Sequence, residues 1–126
     1  MSRRAVSLGY YRYYRRNLPN GVRVVVVYNP HIASFRLTVA ALRGSMHQPV
    51  NHVGDVHLLE HLLCHSTRSL SSAKLATRKD ALYGLNAYTT ADLLAIHASG
   101  ANSDAPRALS LISKMFLDQD FSNTAF

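Results

Sequence analysis

His57, Glu60 and His61 fall within a nine-residue stretch, HLLEHLLCH, at residues 57–65. On a helix the two histidines stand one turn apart on the same face, with Cβ atoms roughly 5–6 Å apart, so both imidazoles reach a single tetrahedral metal. A zinc ion held there lowers the pKa of a bound water to about 7, and a carboxylate beside it can take the water's proton and direct the hydroxide at a peptide carbonyl. Glu60 is the only glutamate in the chain, and it occupies the position where that chemistry needs one. The arrangement is H-x-x-E-H, the reverse of the commoner H-E-x-x-H. Spacing alone leaves another reading open, a solvent-facing polar stripe with a His–Glu hydrogen bond. Cys64 and His65 lie on the same side of the helix and are candidates as extra ligands, although a thiol packed in a core is the commoner role for such a cysteine.

The elements that must position these residues follow from punctuation and periodicity. Leu18-Pro19-Asn20-Gly21 is a turn signal between a short strand around Tyr10–Arg16 and the β-branched run Val22–Tyr28, which together read as a hairpin closed off by Asn29-Pro30. Residues 33–43 alternate as a third strand and end at Gly44-Ser45. From Asp55 to about His65 the pattern is helical, with Val56, Leu59 and Leu63 on one side and Asp55 at the positive end of the dipole. A second helix is expected over Ser72–Leu82 with Gly84 as its C-cap glycine. Two short strands, Leu85–Thr90 and Leu93–Ser99, precede a helix at Ala105–Leu117 whose inward face is expected to be Leu109, Ile112, Met115 and Phe116. This order predicts an α+β fold, a mainly antiparallel sheet with helices packed on one face.

Composition bounds the rest. The chain has 126 residues, 48% hydrophobic and 17% charged, which suits one globular domain and excludes general disorder. Its longest apolar runs, such as Val22–Tyr28, are far shorter than the roughly 20 residues of a membrane span. Residues 1–54 hold eight arginines and no acid, whereas all seven acids lie from Asp55 onward. A basic lobe of this kind suits an acidic partner, RNA among them, or is a solvated surface without a ligand. The arginine-rich, acid-free opening also has the character of a mitochondrial transit segment, and it lacks the apolar region of a secretory signal. The single cysteine rules out an internal disulfide and favours a reducing compartment.

Four stretches, LPNGVRVVVV, a strand ending in RGS, GDVHLLEHLLCHST and LNAYTTAD, occur in this order. Together they resemble the N-terminal part of the pitrilysin, insulinase and mitochondrial processing peptidase family of H-x-x-E-H metallopeptidases, the inverzincins. The resemblance runs from about Arg15 to the end of the chain and divides it into a basic N-terminal extension, 1–14, and an incomplete peptidase-like domain, 15–126. It implies a partial metallopeptidase-family α/β roll. It further implies that His57 and His61 ligate one zinc ion, that Glu60 is the general base, and that Asn86 and Ala87 bind the backbone of a polypeptide substrate as an added strand at a sheet edge. The family's third ligand is a glutamate on a later helix, and no glutamate follows Glu60. Asp118 or Asp120 could substitute only with rearranged geometry. The expected function is therefore a zinc-dependent metalloendopeptidase of the mitochondrial processing peptidase type, enzymatic once a second peptidase-like chain or further C-terminal sequence completes the site. The alternative is a non-catalytic core-type structural subunit of a mitochondrial multiprotein complex, respiratory or ribosomal. Residence in the mitochondrial matrix or at the inner membrane is expected with either.

Overall fold

A computed structural model of the chain describes residues 4–65, 67–82, 84–119 and 121. The chain divides into two compact units, Met1–Ala33 and Ser34–Phe126.

The first unit is a three-stranded antiparallel meander, β1 (Arg4–Leu8), β2 (Tyr11–Asn17) and β3 (Arg23–Tyr28), in the order β1-β2-β3. The expected hairpin is β2–β3, where the Gly21 N–H donates to Leu18 O and the Leu18 N–H to Val22 O. Strand β1 was not foreseen from the sequence. Its two-residue connection to β2 depends on Gly9, whose φ of +62° suits a tight hairpin and is costly for a residue with a Cβ. All six residues of β3 are exposed, although a continuous β-branched run is the signature of a strand covered on both faces.

The second unit carries the catalytic candidates. Its sheet has the order β4-β6-β5, all antiparallel, from β4 (Ser34–Ala41), β5 (Asn86–Thr89) and β6 (Leu94–Ala101). Three helices, α1 (Asp55–Leu63), α2 (Ser72–Asp80) and α3 (Ala105–Leu117), complete it, with short 3-10 turns at Ser45–His47 and Val50–His52 ahead of α1. The α+β class expected from the sequence is therefore observed, built from two three-stranded sheets rather than one. In register, Ala87 lies opposite Ile96 and Leu37 opposite Ala98, so alternate residues of the three strands share one face. That face meets Leu63 of α1, Leu75 of α2 and Ala108, Leu111, Ile112 and Met115 of α3 in one core.

Three expectations about helices need correction. In α3 the buried stripe is Ala108, Leu111, Ile112 and Met115, spaced i, i+3, i+4, i+7, and Leu109 stands one position off it, 50% exposed. In α1 it is Val56 and Leu63 that pack against the core, while Leu59 is exposed. Helix α2 stops at Asp80 with Ala81 as its C-cap, so Gly84 lies beyond the cap and is not the capping residue.

Gly44 ties the loop before α1 to the sheet. A Cβ there would lie 2.4 Å from Thr90 O and 2.5 Å from Ala91 C, both backbone atoms. The close approach lets Ser45 N–H donate to Thr90 O and Met46 N–H to Ala91 O, and the Gly44 N–H donates to His47 Nδ1. Backbone cannot step aside as a flexible side chain can. Gly44→Ala is therefore expected to destabilise the protein by about 1–3 kcal/mol, read as a lower denaturant midpoint at unchanged m-value.

Candidate metal centre

The site begins with the face that α1 presents to the sheet. Val56, Glu60 and Leu63 recur at i, i+4 and i+7, so the glutamate sits in the packed stripe that its neighbours define. Its side chain is only 13% exposed. A carboxylate in that position needs a partner. The partner comes from the sheet: the Thr89 hydroxyl donates to Glu60 Oε2 at 2.6 Å. Helix α1 is thereby fixed over β5, the edge strand of its sheet.

His57 and His61 occupy the next column of α1, at the rim of the helix–sheet contact, and both are exposed. Their Nε2 atoms lie 3.3 Å apart, and their rings meet edge to face with centroids 4.8 Å apart. Zinc–nitrogen bonds of about 2.0–2.1 Å at a tetrahedral angle place two ligand nitrogens about 3.3–3.4 Å apart, so the separation of the two Nε2 atoms, which also lets the rings hydrogen-bond to each other, matches two corners of a zinc site. His57 Nδ1 faces Glu60 Oε2 at 3.5 Å. That contact is an approach at ion-pair distance rather than a hydrogen bond, and the ring's short polar contact is the one between the two Nε2 atoms. The histidines and the glutamate named from the sequence are thus brought together on one turn of helix.

Other candidates are not. Among the described residues no three His, Cys, Asp or Glu side chains are grouped as a metal site, so neither Cys64 nor His65 joins the histidine pair. Burial pushes the Cys64 thiol above its ordinary pKa, with Lys79 opposing and Glu60 reinforcing the shift. Its side chain packs against the core. Asp118 is engaged elsewhere: its carboxylate accepts from the backbone N–H and hydroxyl of Ser69, and its carbonyl accepts from Arg68 N–H. The Ser69 hydroxyl holds the Asp118 carboxyl below the usual carboxylate range. Asp120 lies outside the described residues.

Asn86 and Ala87 open β5, whose outer edge has no strand beside it among the described residues. Ala87 is buried toward the helices, and Asn86 points away and is exposed. Asn86 Oδ1 accepts the Ala87 N–H at 2.9 Å. A strand added here and using that N–H would displace the Asn86 carboxamide. The sequence reading overlooked Thr89. Its signal was in the alternation of N-A-Y-T, which puts Thr89 on the same face as Ala87, toward α1.

The family model described as insulinase (peptidase family M16) matches residues 23–126. A Mycobacterium bovis protein named as an uncharacterized zinc protease is 35% identical over 105 residues, which cover 82% of this chain and 24% of that protein. A Bacillus subtilis zinc protease is 31% identical over 108 residues, 85% of this chain and 26% of the relative. The β subunit of the mitochondrial-processing peptidase of Saccharomyces cerevisiae is 28% identical over 109 residues, 86% of this chain and 24% of that subunit. The chain spans about a quarter of the length of these relatives.

Proposed function

The chain belongs to the insulinase family of peptidases, family M16, and from that premise we propose that it contributes the zinc-binding and proton-transferring half of a metalloendopeptidase site. The observation that carries the proposal is the convergence of His57 Nε2 and His61 Nε2 beside a part-buried Glu60. In it, His57 and His61 hold zinc, and Glu60 accepts a proton from the attacking water. When bound, zinc supplies the Lewis acidity that brings the pKa of water to about 7 and polarises a peptide carbonyl. The chain's own residues do the rest. Helix α1 sets the spacing of the imidazoles and holds Glu60 beside them, and the open edge of β5 seats an extended polypeptide close to the base. Main-chain hydrogen bonds at such an edge give affinity without demanding a particular sequence.

A catalytic zinc normally has three protein ligands and an open position. We propose that the third is supplied from outside the described residues, by a partner chain or by further sequence of the same protein. The name of the yeast relative, a β subunit, supports a pairing of chains, and that relative together with the arginine-rich, acid-free opening supports a mitochondrial setting. Among the described residues no helix is long and apolar enough to cross a membrane.

One observation favours a second reading, a structural subunit that no longer cleaves: the described residues hold no third metal ligand. Elemental analysis of the protein, purified with whatever accompanies it, separates the two. About one zinc per complex is expected. Zinc absent from an intact complex would sink the catalytic reading and leave the structural one.

A further inference from the structure

We infer that Thr89 is the positioning residue of Glu60, an inference that rests on the peptidase reading above. Its hydroxyl holds Oε2 at 2.6 Å, and His57 Nδ1 faces the same oxygen at 3.5 Å. Both neighbours converge on Oε2, so Oε1 is the oxygen left to take the proton of the attacking water. Among the described residues, the carboxylate without the hydroxyl would keep only the longer contact to a histidine that is itself 66% exposed. A glutamate side chain has three rotatable bonds, and in a part-buried position an unanchored carboxylate turns toward water.

The anchor is also placed to couple base and substrate. Thr89 is the last residue of β5, the strand whose first residues, Asn86 and Ala87, are proposed to seat the peptide. Beyond it, the turn at Thr90 is clamped from two sides: Ser45 N–H donates to Thr90 O, and the Thr90 N–H donates to Leu93 O. One short strand therefore fixes both the peptide's edge and the oxygen that does not react. The four residues Asn86–Thr89 set the distance between binding and proton transfer.

The test compares Thr89→Val, which keeps the β-branched shape and strand preference but removes the donor, with Thr89→Ser, which restores a hydroxyl. It is made on the full protein with whatever partner completes it. For Thr89→Val, kcat for peptide cleavage is expected to fall by about ten- to a hundredfold with KM and zinc content unchanged, because a base displaced by about 1 Å costs about that much. Thr89→Ser is expected to return kcat to within about threefold of wild type. A second readout does not use activity. Thr89→Val should shift the unfolding equilibrium about ten- to a hundredfold when Glu60 is present and have little effect in a Glu60→Ala background, since a hydrogen bond to a charged group is worth about that factor. Unchanged kcat, or the same stability loss in both backgrounds, would overturn the role given to Thr89. Coupling in a wild-type protein that binds no zinc and cleaves nothing would instead overturn the peptidase reading, and the role of Thr89 with it.

Discussion

Glu60→Gln is expected to lower peptide hydrolysis by about 10²–10⁴-fold while zinc stays bound, because it removes a proton acceptor and almost nothing else. The amide has the shape of the carboxylate, and its oxygen can accept from the Thr89 hydroxyl as Oε2 does. The stripe of Val56, Glu60 and Leu63 against the sheet is thus preserved, and the imidazoles of His57 and His61 keep their spacing. What the amide cannot do is take a proton from water at neutral pH. The check is kcat/KM on a peptide substrate measured beside zinc content for the same preparation. A variant that retains zinc and loses activity assigns the base. A variant as active as wild type would remove Glu60 from the chemistry, and loss of zinc with activity would make it a ligand or a structural support of the ligands.

The same residue shows what could be read from the sequence and what could not. The spacing of His57, Glu60 and His61 is a local property of one helix, and a 3.6-residue period suffices to place them together. Which face of that helix is buried is not local. Apolarity selects Val56, Leu59 and Leu63, yet the stripe taken inward runs through Glu60 and leaves Leu59 exposed. The reason is a hydroxyl from another element, Thr89, 29 residues away, which makes a part-buried carboxylate tolerable. Helix α3 shows a milder form of the same limit. Weight given to the large Leu109 hides the fact that the small Ala108, fully buried, continues the stripe of Leu111, Ile112 and Met115.

Strand order was legible only in part. The hairpin at β2–β3 is written in Pro19-Asn20-Gly21, alternation marks β4, and β5 and β6 read as two short strands joined near Ala91-Asp92. No short-range signal says that β6 lies between β4 and β5, which is what makes β5 an edge and exposes the backbone of Asn86–Thr89. The tyrosines interleaved with arginines in Tyr11–Arg16 belong to a strand, β2, that is paired on both sides by β1 and β3. A backbone committed to two neighbours still leaves its side chains exposed, so charge pattern alone does not separate a surface for nucleic acid from a solvated strand. Gly44 looked like a strand terminator. Its second function, admitting the Thr90–Ala91 turn at contact distance, depends on a segment 46 residues on and could not be seen from its own neighbours.

His57→Ala and His61→Ala are each expected to weaken zinc binding by roughly a hundred- to a thousandfold. One ligand of a four-ligand structural zinc site worth about 10–16 kcal/mol accounts for about 2.5–4 kcal/mol, and each imidazole is expected to contribute a similar amount. Cost to the fold should be small, because both side chains are exposed at the rim of α1 and neither belongs to the core. In the proposed site neither could replace the other: each Nε2 would supply one corner, and the 3.3 Å between them matches the edge of a zinc tetrahedron. His65→Ala and Cys64→Ser are the controls, and both should leave the affinity within about threefold, since the described residues group neither with the histidine pair. Competition with a chelator of known zinc affinity measures all four variants on one scale. Wild-type affinity in His57→Ala would show that any bound zinc is held elsewhere. A fall on losing either histidine, with no fall on losing Cys64 or His65, would place the ion between the two imidazoles and direct the search for the third ligand to groups that approach the rim of α1 from outside.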